Sequence, residues 1–138
     1  PNVTSISQMA LAAESAGADS VVLINTLLGM AIDIKTRRPI LRNNTGGLSG
    51  PAIKPIALRM ISECYQVISI PIIGVGGIMT ASDVVEYMLA GASAVEIGTA
   101  SLLHPGICEK LANDLNVYAE ANSISDIKDL TGKLKLWE

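Results

Sequence analysis

Apolar runs and helical periodicities alternate along this chain. Val21-Val22-Leu23-Ile24, Ile70-Pro71-Ile72-Ile73 and Ala94-Val95-Glu96-Ile97 are short, nearly unbroken apolar stretches. Ile6, Met9, Ala10 and Ala13 recur at helical spacing before the first run, with Ser5 or Ser7 as caps and Gly17 as a stop. Ile53, Ile56, Ala57, Met60, Cys64 and Val67 define a helix face between the first and second runs. Between the second and third, Val84, Val85, Met88 and Leu89 define another, opened by the capping-box pattern Thr80-x-x-Asp83 and closed at Gly91. Pro105 opens a last long helix carrying Ile107, Leu111, Leu115 and Tyr118, and a short turn around Ile127 and Leu130 follows. Three strands and at least four helices in alternation predict parallel strands covered by helices, an α/β architecture.

Two segments break the alternation. From Leu27 to Ala52 no helix fits, and Met30–Ile34 is expected to pair with Pro39–Leu41 as a hairpin across Lys35–Arg38, in a region where Lys35, Arg37, Arg38 and Arg42 cluster. The tip reads as a solvated face or as a partner surface. Asn44-Thr45-Gly46-Gly47-Leu48-Ser49-Gly50-Pro51 then approaches the second helix as a glycine-rich loop. With Gly74-Val75-Gly76-Gly77 after the second strand and Gly98-Thr99 after the third, it forms a set of bare-backbone turns at strand ends and helix starts. Such turns expose N–H groups and favour an anion. Grips of this kind follow the late strands of many (β/α)8 barrels, with a doubly wound sheet as the alternative topology.

Length sharpens this reading. A whole (β/α)8 barrel needs about 250 residues, and the chain has 138, of which 49% are hydrophobic at a mean hydropathy of +0.43. The pattern predicts the C-terminal half of a barrel, about its last three strands and their helices, with residues 1–138 forming part of one domain and opening in the middle of a β/α repeat. No apolar run approaches the roughly 20 residues of a membrane span, and Pro1 carries no signal-peptide pattern. A net charge of −3 and a pI near 5.1 do not point to nucleic acid. Cys64 and Cys108, both at helical core spacing, make neither a disulfide framework nor a metal site, so reduced thiols and a cytoplasmic location are expected.

Few side chains are placed for chemistry. His104 is the one histidine and reads as a surface or capping residue. Glu96, in the third strand, reads as a carboxylate paired to a neighbouring element, with a buried general acid as the alternative. Asp33 reads as a hairpin surface charge. Asn25-Thr26 is the better candidate, because it stands at a barrel strand's C-terminal end and an Asn amide suits a planar carboxylate or imide.

Asn25-Thr26-Leu27-Leu28-Gly29-Met30, Gly46-Gly47-Leu48-Ser49-Gly50-Pro51-Ala52-Ile53-Lys54-Pro55, Gly74-Val75-Gly76-Gly77-Ile78 and Gly98-Thr99-Ala100 together resemble class 1 dihydroorotate dehydrogenase, most closely the catalytic subunit of the NAD-linked subtype. The resemblance spans nearly the whole chain and the C-terminal half of that family's barrel. It implies a (β/α)8 TIM barrel, an FMN at its C-terminal face and oxidation of dihydroorotate to orotate in pyrimidine biosynthesis. It implies that Gly50, Gly76, Gly77, Gly98 and Thr99 hold the FMN phosphate, that Ile24 touches the flavin through its backbone, and that Asn25 and Thr26 bind dihydroorotate. It further implies a second subunit carrying FAD and an iron–sulfur cluster, and NAD as final acceptor; the open strand edges of a half barrel separately lead to the expectation of a homo-oligomer. The family's base, a loop cysteine of the N-terminal half, matches neither Cys64 nor Cys108, and its flavin-contacting lysine falls before Pro1. The chain alone is therefore expected to be inactive. Another phosphate-gripping flavoenzyme or isomerase, or an inert self-associating barrel fragment, are the competing readings.

Overall fold

A computed structural model describes residues 1–137. Its centre is a parallel sheet of β1 (Val21–Leu23), β6 (Ile72–Val75) and β7 (Ala94–Glu96), in the order β1-β6-β7. In register, Val22 stands beside Ile73 and Ile73 beside Ala94, while Leu23 pairs with Gly74 and Gly74 with Val95. The connections are α2 (Lys54–Tyr65) and α3 (Ala81–Ala90); α1 (Ile6–Ser15) precedes β1, and α4 (Thr99–Leu103) and α5 (Ile107–Ala121) follow β7. Neighbouring helices α1, α2, α3 and α5 pack in that order along one side of the sheet.

The core lies between that helix layer and the sheet. Ile6, Ala57, Ile61, Cys64, Ile72, Val84, Tyr87 and Met88 are buried together there. The opposite sheet face is open: Val22 is 50% exposed, and Ala94 and Glu96 are exposed. Strands whose alternate residues are aliphatic on both faces are built for cover on both sides, so this face has the composition of a barrel interior.

The expected alternation of elements holds, with local differences. The second strand runs on through Gly74 to Val75, and the glycine at 74 makes room for Tyr87, since a Cβ there would lie 2.3 Å from the Tyr87 Cδ1. The turn proper is Gly76-Gly77. On α2, Ile61 is fully buried while Ile56 is 36% exposed and Val67, beyond the helix end, 42% exposed. Ser5 occupies the N-cap of α1 without a capping bond, its Oγ lying 3.2 Å from Ser7 Oγ.

The 27–52 segment carries two ladders. The expected hairpin is β3 (Ile32–Asp33) with β4 (Arg38–Pro39), its tip held by Asp33, whose Oδ1 accepts from the Lys35 amide at 2.8 Å. Those hydrogen bonds hold the Asp33 carboxyl below its ordinary pKa. An unexpected antiparallel pair joins β2 (Leu27–Gly29) to β5 (Gly46–Leu48). Gly46 and Gly47 have low strand propensity and concealed it. Here the closeness itself requires glycine, since a Gly47 Cβ would lie 2.1 Å from Thr26 Oγ1.

Candidate functional site

One small pocket, about 110 Å³, opens at the C-terminal ends of the three parallel strands. Four loop segments supply its walls: Ile24 and Thr26 after β1, Ser49 and Gly50 before α2, Gly76 and Gly77 after β6, and Gly98 and Thr99 after β7. The structure thus brings together all six residues expected to hold a cofactor, with Thr26 beside them. Asn25 adjoins this wall at the end of β1 but is not among the pocket's lining residues.

The glycine turns are held backbone to backbone. Gly50 and Gly77 have φ of +86° and +71°, a region costly for side-chain-bearing residues, and a Cβ on Gly77 would stand 2.6 Å from the Gly50 carbonyl oxygen. Thr99 Oγ1 donates to Ser49 Oγ at 2.9 Å, closing the ring between the β7 and α2 loops. Gly98 is different: a Cβ there would meet nothing within 4 Å, so the space above it is free for a ligand. The Gly76, Gly77 and Thr99 amides find no acceptor among the described residues. Unpaired backbone donors at a concave surface are what an anion needs.

The Gly50 and Gly76-Gly77 loops are tied together behind the pocket by Asp83. Its Oδ2 accepts from the amides of Met79 (2.9 Å) and Thr80 (2.8 Å) and from Thr80 Oγ1 (2.9 Å), while Thr80 Oγ1 accepts from the Asp83 amide at 3.2 Å. This is the expected capping box. Its other oxygen takes the Lys54 ammonium at 2.5 Å, and Lys54 also reaches Glu86 at 3.0 Å. Lys54 opens α2 four residues after Gly50, and Asp83 sits in the first turn of α3 six residues after Gly77. Burial alone would raise the Asp83 pKa; the Lys54 ion pair and the hydrogen bonds from Met79 and Thr80 outweigh it and bring it down to about 2. Hydrogen bonding to Asp83 correspondingly raises the Lys54 pKa against the opposing cost of burial.

Asn25 and Thr26 form a local unit. Asn25 Oδ1 accepts from the Thr26 amide at 2.9 Å, which leaves the Asn25 Nδ2 donors without an acceptor among the described residues. Asn2 clamps this segment from outside, donating from Nδ2 to the Thr26 carbonyl and accepting at Oδ1 from the Leu28 amide, both at 2.9 Å. Ser49, Ile53, Val75 and Ile78 also line the pocket, and Asn2 and Asp83 brace it. Sequence reasoning did not single these out as site residues, because a hydroxyl, an aliphatic wall or a cap has no distinctive spacing.

Other candidates fall elsewhere. Glu96 lines the pocket but is exposed and, among the described residues, has no ion-pair partner, so it is neither the paired nor the buried carboxylate the sequence led one to expect. His104 caps α4 and borders a separate shallow depression with Pro105 and Lys110. Cys64 is fully buried, and burial, aided by Glu63, pushes its thiol up to about 11; a thiol so placed stays protonated and unreactive. Among the described residues no group of three His, Cys, Asp or Glu side chains is arranged to hold a metal ion, and no helix is long and apolar enough to cross a membrane.

Comparison with known proteins agrees with this geometry. A family model described as dihydroorotate dehydrogenase matches residues 1–118. The chain is 57% identical over 134 residues to the protein of Geotalea uraniireducens named dihydroorotate dehydrogenase B (NAD(+)), catalytic subunit, covering 97% of this chain and 44% of that one. It is also 57% identical over 133 residues to the protein of the same name in a Geobacillus species, covering 96% and 42%. Among solved structures, dihydroorotate dehydrogenase of Eimeria tenella in complex with ferulenol superposes with a TM-score of 0.76 at 27% identity, over 93% of this chain and 34% of that one. The chain therefore spans less than half the length of the curated relatives it matches. Its parallel sheet and outer helices are part of a (β/α)8 barrel, and the chain belongs to the dihydroorotate dehydrogenase family.

Proposed function

We propose that residues 1–138 form the C-terminal half of a single FMN-binding barrel domain in the catalytic subunit of an NAD-linked dihydroorotate dehydrogenase, oxidising dihydroorotate to orotate in pyrimidine biosynthesis. The observation that carries this reading is the meeting of Gly50, Gly76-Gly77 and Gly98-Thr99 around one pocket, with amides in its lining that find no acceptor among the described residues.

FMN bound there supplies the acceptor for the electron pair that leaves the substrate's CH–CH bond. The chain's residues hold and orient. The Gly76, Gly77 and Thr99 amides would donate hydrogen bonds to the FMN phosphate, Gly50 and Gly98 would leave it room, and the Ile24 backbone at the end of β1 would meet the flavin. Asn25 and Thr26 hold dihydroorotate; the Asn25 Nδ2 donors suit its carboxylate or imide oxygens, and Asn2 keeps the segment in place. The family resemblance puts the proton acceptor, a loop cysteine, in the barrel's other half; of this chain's thiols, Cys64 is buried with a raised pKa, and Cys108, exposed rather than at the core position its spacing suggested, does not line the pocket. A partner subunit carrying FAD and an iron–sulfur cluster would link this site to NAD. A cytoplasmic location belongs to the same reading.

Two measurements test it. In the complete polypeptide, Asn25→Ala should leave FMN bound and raise the KM for dihydroorotate about 5- to 150-fold, the equivalent of losing roughly 1–3 kcal/mol of hydrogen bonding; unchanged kinetics would remove Asn25 from the site. The 138-residue chain alone should self-associate. The outer edges of β1 and β7 are unpaired among the described residues, the sheet face bearing Val22 is open, and such edges recruit further strands. Sedimentation should show a dimer or larger species; a stable monomer at micromolar concentration would contradict the open-sheet argument.

A further inference from the structure

Tyr87 is the largest fully buried side chain of the protein. It rises from α3, fills the space beneath Gly74, and donates its hydroxyl to the Gly76 carbonyl at 2.5 Å. A buried phenol needs an acceptor. The one it has belongs to the peptide joining Gly76 to Gly77. That peptide is trans, since Leu23-Ile24 carries the only cis bond among the described residues. In a trans peptide the carbonyl and the N–H project from opposite edges. With the Gly76 carbonyl held toward Tyr87, on the helix side of the sheet, the Gly77 N–H faces away from the helix layer, where Gly77 lines the pocket. Two successive glycines, at φ of +135° and +71°, have no side chains of their own to fix that orientation.

We propose that Tyr87 is a positioning residue of the anion site: its hydroxyl fixes the Gly76-Gly77 peptide so that the Gly77 N–H is aimed at the bound phosphate. This rests on the reading that the pocket takes the FMN phosphate. The donor is permanent, because burial raises the Tyr87 pKa and keeps the phenol protonated. A donor fixed before binding costs no reorganisation when the anion arrives. The role is hidden in the sequence, where Tyr87 follows Glu86 in a helix and looks like a core residue.

The test compares FMN with riboflavin, which lacks only the phosphate, on the complete polypeptide. Tyr87→Phe should raise the Kd for FMN about tenfold, or 1.4 kcal/mol, and leave that for riboflavin within about twofold. Equal weakening of both flavins would show that the ring acts only through packing and would overturn the proposal, as would an unchanged preference for FMN. If the wild-type protein itself does not prefer FMN, the phosphate reading fails and Tyr87's role fails with it; a wild-type preference that survives Tyr87→Phe overturns the Tyr87 role alone. Should Tyr87→Phe not fold, the wild-type protein still decides: the Gly77 amide resonance should move on adding FMN and stay in place with riboflavin, and an unmoved resonance with FMN overturns the assignment.

Discussion

Gly98→Asp in the complete polypeptide is expected to abolish FMN retention and leave the fold intact. A side chain at Gly98 meets nothing of the protein within 4 Å, and φ there, −94°, lies outside the left-handed region that demands glycine. The position is the N-cap of α4, where aspartate is a preferred residue. The added carboxylate therefore meets no steric clash and stands in the proposed phosphate space. Two unit charges about 4 Å apart at an effective dielectric of about 20 repel by about 4 kcal/mol, a loss of about a thousandfold in affinity. Purified protein should be colourless with an unchanged melting temperature. Full flavin occupancy would take Gly98 out of the site. Gly77→Asp is a blunter probe, because a Cβ at Gly77 already collides with the Gly50 carbonyl and disturbs the loop before any charge acts.

Asp83→Asn should destabilise the fold strongly. It removes the carboxylate that joins the Lys54 ammonium to the cap of α3, leaving Lys54 only Glu86. Breaking one side of a largely buried pair typically costs roughly 3–5 kcal/mol, and the 23% exposure of Lys54 places this case near 3. A domain of this family's size should lose about 6–12 °C in Tm. The effect is pH-dependent, with a defined sign. The folded Asp83 pKa, about 2, lies below its unfolded value of about 3.9, so its contribution is complete above that value and disappears as pH falls toward 2. The gap in Tm between wild type and Asp83→Asn should be widest at pH 7 and clearly narrower at pH 3. A gap that does not change with pH would show that the carboxylate is not ionised in the fold.

The fold was legible wherever periodicity was strong. β1, β7 and the faces of α3 and α5 follow from apolar spacing, as does that of α1 except for Met9, which points away from the core and is 48% exposed, and the Thr80–Asp83 box and Gly91 mark both ends of α3. The β2–β5 ladder was hidden because glycines make half of it, and α4 because five residues carry no readable period. At the site, glycines spaced after successive strands identified the pocket, since backbone turns leave a mark in the sequence. The bracing did not: Lys54 meets Asp83 across 29 residues and Tyr87 finds the Gly76 carbonyl behind the sheet, contacts that only the tertiary fold creates. Glu96 was misplaced for the same reason, its burial depending on what covers the open sheet face rather than on its neighbours in sequence.

The central claim is that this glycine pocket holds the flavin through which dihydroorotate is oxidised. Anaerobic addition of dihydroorotate to the purified complete protein, followed by flavin absorbance, tests it most directly. One FMN per chain is expected, released on denaturation and identified by its mass, with bleaching of its absorbance as orotate appears. A protein that carries no FMN, or whose FMN stays oxidised in the presence of dihydroorotate, would contradict it.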